Sequence, residues 1–92
     1  MEILSFTLDS CPPAKMIETL LENMLPEINA DLKTKAELIK VEASKQKEIV
    51  DKFLVTAVPT LLIMHKNQES GRILGFYPRE ELKTKIKTLL TV

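Results

Sequence analysis

Leu4, Phe6 and Leu8 fall on one side of a two-residue period and Ile3, Ser5 and Thr7 on the other, which predicts a strand. From Met16 the period lengthens. Met16, Ile17, Leu20, Leu21, Met24 and Leu25 recur at helical spacings and make one apolar stripe. Pro12 and Pro13 suit the first turn of that helix, where a missing N–H costs nothing. Pro26 predicts its end, because proline disfavours helical geometry in the residue before it. Glu27 to Lys35 carries no clean period and reads as a connection, with a helical tail over Ile28 to Leu32.

Ala36 to Glu42 reads as a second strand, followed by a short helix over Lys45 to Leu54 with Ser44 as its cap. Thr60 to Met64 is apolar on both faces, the pattern of a strand inside a sheet. His65 to Gly71 is polar and ends in Ser70-Gly71, so it predicts a turn into a last strand over Arg72 to Phe76. Tyr77-Pro78 breaks that strand. Leu82, Ile86, Leu89 and Leu90 then define a closing amphipathic helix. Met16, Met24 and Met64 are assigned to the core, and His65 to solvent at a strand end. The order is β-α-β-α-β-β-α. A β-α-β start needs a right-handed crossover between parallel strands and the closing hairpin is antiparallel, so the fold class is α/β with a mixed sheet and helices on both faces.

Composition narrows the function more than the fold. The 92 residues make one domain, 1–92, that can bury about two-thirds of the unfolded surface. Thirteen basic residues cancel thirteen acidic ones, which leaves no electrostatic case for nucleic acid or for an anionic membrane. The longest uncharged run, Phe53 to Met64, contains Pro59 and is too short for a bilayer crossing, so no membrane span is expected. Met1 to Ser10 lacks a basic leader and meets Asp9 early, so the cytoplasm is the expected compartment. Cys11 is the only cysteine and His65 the only histidine. An internal disulfide is excluded, and neither metal nor cofactor is expected.

The candidate chemistry lies at Cys11, in Asp9-Ser10-Cys11-Pro12-Pro13-Ala14-Lys15. A thiol at the mouth of a helix meets unpaired backbone N–H groups and the positive end of the peptide dipoles, which favour thiolate. The competing readings are plain ones: a packed thiol, two prolines that only start a helix, and a Lys15 on a solvated face.

The element order, the Cys11-Pro12-Pro13 motif at the mouth of the first helix, and Val58-Pro59-Thr60 leading into the third strand together resemble a thioredoxin. The likeness extends to Thr60 to Met64, to Gly71 and Gly75, and to Pro78 to Leu82. It covers almost the whole chain. The family's extra strand and helix ahead of the first core strand are missing, so the resemblance implies a minimal thioredoxin fold with strand order 2-1-3-4. It also implies a cis Pro59, a Val58 backbone that pairs with an extended partner segment, and a groove lined by Gly75 and Phe76. The physical logic is strand addition beside an attacking thiolate.

Three departures qualify the likeness. The family's dithiol motif carries a second cysteine where this chain has Ala14, Ser10 replaces a common tryptophan, and the family's buried acid and its lysine partner would fall at Ser5 and about Leu38. Without a resolving sulfur, a mixed disulfide on Cys11 must wait for an outside thiol. The sequence therefore leaves three readings open. The first is a monothiol exchange protein whose Cys11 pairs with glutathione or a thiol- or disulfide-bearing protein. The second is a redox-inactive module that binds partners in the groove beside Pro59. The third is a dithiol protein in which Ala14 stands in place of the resolving cysteine. A monomer is expected, with a Cys11-linked dimer as the other state.

Overall fold

The structure, a computed structural model, describes residues 1–91. Its elements are β1 (Glu2–Thr7), α1 (Pro12–Leu32), β2 (Glu37–Glu42), α2 (Lys47–Lys52), β3 (Thr60–His65), β4 (Gln68–Leu74) and α3 (Arg79–Leu90). The four strands form one sheet in the order β2-β1-β3-β4. β1 runs parallel to β2 and antiparallel to β3, and β3 runs antiparallel to β4. This is the predicted mixed sheet and the predicted order.

Alternation along β1 separates two cores, as the sequence implies, but neither face of the strand meets water. Ile3 joins Ile17, Leu21, Met24, Ile28, Leu61, Leu82 and Ile86 in the layer beneath α1 and α3. Leu4 and Phe6 join Val41, Leu62 and Met64 on the opposite face, where Ile49, Val50 and Phe53 of the α2 region cover them. Burial on both faces, from Ile3 through Thr7 and from Thr60 through Met64, marks β1 and β3 as the interior of the sheet.

Pro26 does not end the first helix. α1 runs through it to Leu32 and closes at Lys33, whose left-handed φ of 55° satisfies the last turn. The apolar stripe continues on both sides of the proline through Met24, Leu25 and Ile28. Pro26 is exposed, and so is Glu22, the residue whose carbonyl the missing N–H would have bonded. Packing of the stripe outweighs the local preference. Met16, placed in the core by spacing, is instead 56% exposed, because the buried line of α1 runs through Ala14, Ile17, Leu21 and Met24.

Two further boundaries move. Ser44 does not cap α2; its hydroxyl donates to Glu42, and Gln46 occupies the N-cap position with its Oε1 accepting from the Glu42 N–H rather than from the helix. β4 begins at Gln68 rather than Arg72, because the hairpin turn is the pair Lys66-Asn67, with φ of 51° and 65°. Positive φ at both central residues is the geometry that matches the twist of the flanking strands. Gly71 therefore lies within the strand. A Cβ there would come within 2.6 Å of Leu89 on α3, so that glycine serves close helix packing rather than a turn. No helix among the described residues is long and apolar enough to cross a membrane.

Candidate functional site

Strand register gathers three loops at one end of the sheet. Phe6 pairs with Thr60 and Thr60 with Leu74, so the ends of β1 and β4 meet the start of β3. The segments that follow or precede them are Leu8 to Cys11, Val55 to Pro59, and Gly75 to Phe76. Leu8, Val55 and Val58 line one shallow cavity of about 190 Å³ there. The backbone N–H of Gly75 donates to Pro59 O at 3.0 Å, tying two of the loops together. The Val58–Pro59 peptide bond is cis.

Cys11 is the N-cap residue of α1, in extended conformation, with Pro12 and Pro13 filling the first helical positions. Its N–H donates to Leu8 O at 3.0 Å, and its carbonyl accepts from the N–H groups of Ala14 and Lys15 at 3.1 and 3.2 Å. The thiol is half-buried and unbridged. No acidic residue occupies the first turn of α1, so no nearby carboxylate in that turn offsets the positive end of the helix. Pro12 and Pro13 are exposed, whereas Ala14 is fully buried one turn into the helix. Of the expected groove residues, Pro59 is buried, Val58 half-buried, Gly75 exposed with φ of 90°, and Phe76 44% exposed. Tyr77 instead packs against the core beneath α3.

Charges around the motif are paired. Lys15 Nζ lies 3.1 Å from Asp9 Oδ1. The hydrogen bond from Lys15 holds the Asp9 carboxyl below its ordinary range, and the same bond holds the lysine above its own. Asp9 also donates its backbone N–H to Glu42 at 2.7 Å, which anchors the loop to the end of β2.

Beneath the motif the register corrects one sequence expectation. Lys40, not Leu38, stands beside Ser5 in the parallel pair of β1 and β2. One of the two charges thought absent is thus present at that level. Its ammonium bonds Glu22 and lies 3.8 Å from Glu18, both on α1, and Glu22 holds the lysine above its ordinary range. Glu18 sits one helical turn below Ala14, and its Oε2, with the hydroxyls of Ser5 and Thr7, is buried without a hydrogen-bond partner among the described residues. Sequence reading missed this carboxylate. Its signal was the i, i+4 pair of acids on a helix face that otherwise reads as core.

Comparison with known proteins places this geometry. The thioredoxin family model matches residues 1–88. The chain is 30% identical over 82 residues to a thioredoxin of Staphylococcus aureus, spanning 89% of this chain and 75% of that one. Among solved structures it is similar to a thioredoxin from Trypanosoma brucei brucei, with TM-score 0.79 and 26% identity, covering 99% of this chain and 75% of the other. A similar fold occurs in thioredoxin 1 from Thermosipho africanus, with TM-score 0.67 and 23% identity over 99% and 96% of the two chains.

Proposed function

The chain belongs to the thioredoxin family, and from that premise we propose that it exchanges thiols and disulfides through Cys11 alone. The observation that carries the reading is the pairing of a half-exposed cysteine at the N-cap of α1 with a fully buried, sulfur-free Ala14 one turn on. The Cys11 thiolate attacks one sulfur of a partner disulfide. A bond forms between Cys11 Sγ and that sulfur, the partner's S–S bond breaks, and the departing thiolate leaves with the electron pair and takes a proton from solvent. No second thiol in the chain can then attack Cys11. Release requires an outside thiol, either glutathione or a cysteine of the partner, which forms the new disulfide and returns Cys11 to thiolate.

Val58, Pro59, Gly75 and Phe76 hold the partner segment in this reading. Val58 pairs with an extended backbone, and the exposed Phe76 ring gives it an apolar wall. A single unpaired thiol suits the reducing cytoplasm, and the monomer is the working state, with the Cys11-linked dimer as its oxidised counterpart.

The test is the pH dependence of Cys11 alkylation, with intact-mass analysis after exposure to oxidised glutathione. The expected result is fast alkylation persisting below the pH near 8.5 at which a free cysteine loses reactivity, and a glutathione adduct that is lost in Cys11→Ser. Alkylation indistinguishable from that of a free thiol would overturn the proposal. A second reading rests on Ala14 and Ser5, which leave out the groups of a dithiol cycle: a redox-inactive module that binds partners in the same groove. It predicts partner capture unchanged in Cys11→Ser. The third, a dithiol protein lacking only its resolving cysteine, predicts that Ala14→Cys turns over a disulfide substrate.

A further inference from the structure

We propose that the open edge of β4, with the groove between it and α3, is a second docking surface, taking an extended peptide that carries a carboxylate side chain among apolar residues. Among the described residues β4 pairs only with β3, so its other edge has no strand partner. The Gly75 N–H bonds Pro59 O, which makes the neighbouring Thr60–Leu74 and Leu62–Arg72 pairs the non-hydrogen-bonded ones. The backbone N–H and C=O of Arg72 and Leu74 therefore point to the open edge. They present the spacing that an added strand reads.

Beside that edge lies an open groove of about 490 Å³, lined by Ile73, Leu74, Tyr77 and Leu89 and rimmed by Arg72 and Lys85. Leu74 is 59% exposed although it flanks the core. Among the described residues, no acidic side chain lines the groove. Its two cations differ in availability. Arg72 is committed to Glu69 at 2.7 Å and to Phe53 O at 3.0 Å. Lys85 stands 4.6 Å from the Tyr77 ring centroid and, among the described residues, has no carboxylate within ion-pair distance. An apolar groove with one uncommitted cation beside an unpaired strand edge is complementary to a strand bearing an acid.

A second copy of the chain fits this edge less well than an acidic segment. Antiparallel pairing of two β4 edges about Arg72 would set that residue directly against its own counterpart, an unfavourable pairing of like charges.

The experiment titrates the ¹⁵N-labelled full chain with a blocked, cysteine-free peptide, Val-Thr-Glu-Thr-Val, whose Glu and Val side chains share one face of a strand, and with versions carrying Gln or Lys at the central position. The expected result is that the amides of Arg72 and Leu74 shift and exchange more slowly. The Gln peptide should bind about 2- to 5-fold more weakly than the Glu peptide, the size of one exposed ion pair. Lys85→Glu should reverse the order of the Glu and Lys peptides. Leu74→Pro, which removes an outward N–H together with the Leu74 side chain, should abolish slowing at the edge, Leu74→Ala separates the two losses by keeping the N–H, and Lys85→Glu remains decisive if the proline variant does not fold. Shifts confined to Val58, Gly75 and Phe76, equal binding of the Glu and Lys peptides, or self-association through β4 in place of peptide binding would each overturn the proposal.

Discussion

Asp9 Oδ1 lies 3.1 Å from Lys15 Nζ, so the cation that follows the cysteine motif is bound to a carboxylate that precedes it. The pair spans the turn that carries Cys11, and both side chains face solvent. Asp9→Asn should release Lys15 toward the thiol and speed Cys11 alkylation near neutral pH by about 2- to 5-fold, the scale of one exposed charge interaction. Lys15→Ala should slow it over the same range. High salt should shrink both effects, because such charges are screened. Equal rates in all three proteins would remove the pair from any account of the thiol.

A second charge system ties α1 to α3. Glu27 bonds Arg79 at 2.9 Å and also Lys83, while Asp31 bonds Lys87 at 2.7 Å. The Lys83 hydrogen bond, then that of Arg79, lowers the Glu27 carboxyl from 4.5 to about 2. A depressed folded-state value contributes stability that is complete above the unfolded value and is lost as pH falls. Thermal midpoints should therefore drop between about pH 4.5 and 2, and Glu27→Gln should flatten that part of the curve. An unaltered acid limb in the variant would count against the ladder.

Among the described residues, Ser5, Thr7 and Glu18 place three unpartnered polar atoms between β1 and α1. A buried hydroxyl with no partner carries its full desolvation penalty, about 1–3 kcal/mol. Thr7→Val keeps the shape and removes the hydroxyl, so it should raise stability in denaturant unfolding by about 1 kcal/mol. A loss of stability would mean that the hydroxyl has a partner in solution.

Gly71 and Gly75 should respond to alanine for different reasons. At Gly75, φ is 90° and nothing stands within 4 Å of a new Cβ, so the cost of about 1–3 kcal/mol is one of backbone strain alone. At Gly71 the added carbon meets the Leu89 side chain, so Leu89→Ala should rescue Gly71→Ala and leave Gly75→Ala unchanged. Unfolding of the two double variants reads this directly.

Much of the fold was legible because its strongest signals were periodic. The two-residue alternation of β1, the doubly apolar run of β3 and the stripe of α3 depend on burial, and burial is what the structure shows at Ile3, Phe6, Leu62 and Ile86. Punctuation was less faithful. Pro26 reads as a stop, but the helix stripe has core to bury on both sides of it. Ser70-Gly71 reads as a turn, but the turn fell to Lys66-Asn67, a pair without glycine. At the site, Cys11, the prolines and Ala14 could be located from their place between two periods. Lys40 and Glu18 could not, because their meeting depends on strand register and helix rotation, which no local pattern carries.

β1 lies inside the sheet, yet its antiparallel partner starts at Thr60, more than fifty residues downstream. At about 5–20 residues per second, roughly 3–10 s separate the emergence of the two strands during synthesis. The parallel partner β2 arrives sooner, but it leaves one edge of β1 open. A nascent chain therefore spends those seconds with its most buried strand half-paired, and the loops that frame Cys11 cannot converge until the second half of the protein has left the ribosome.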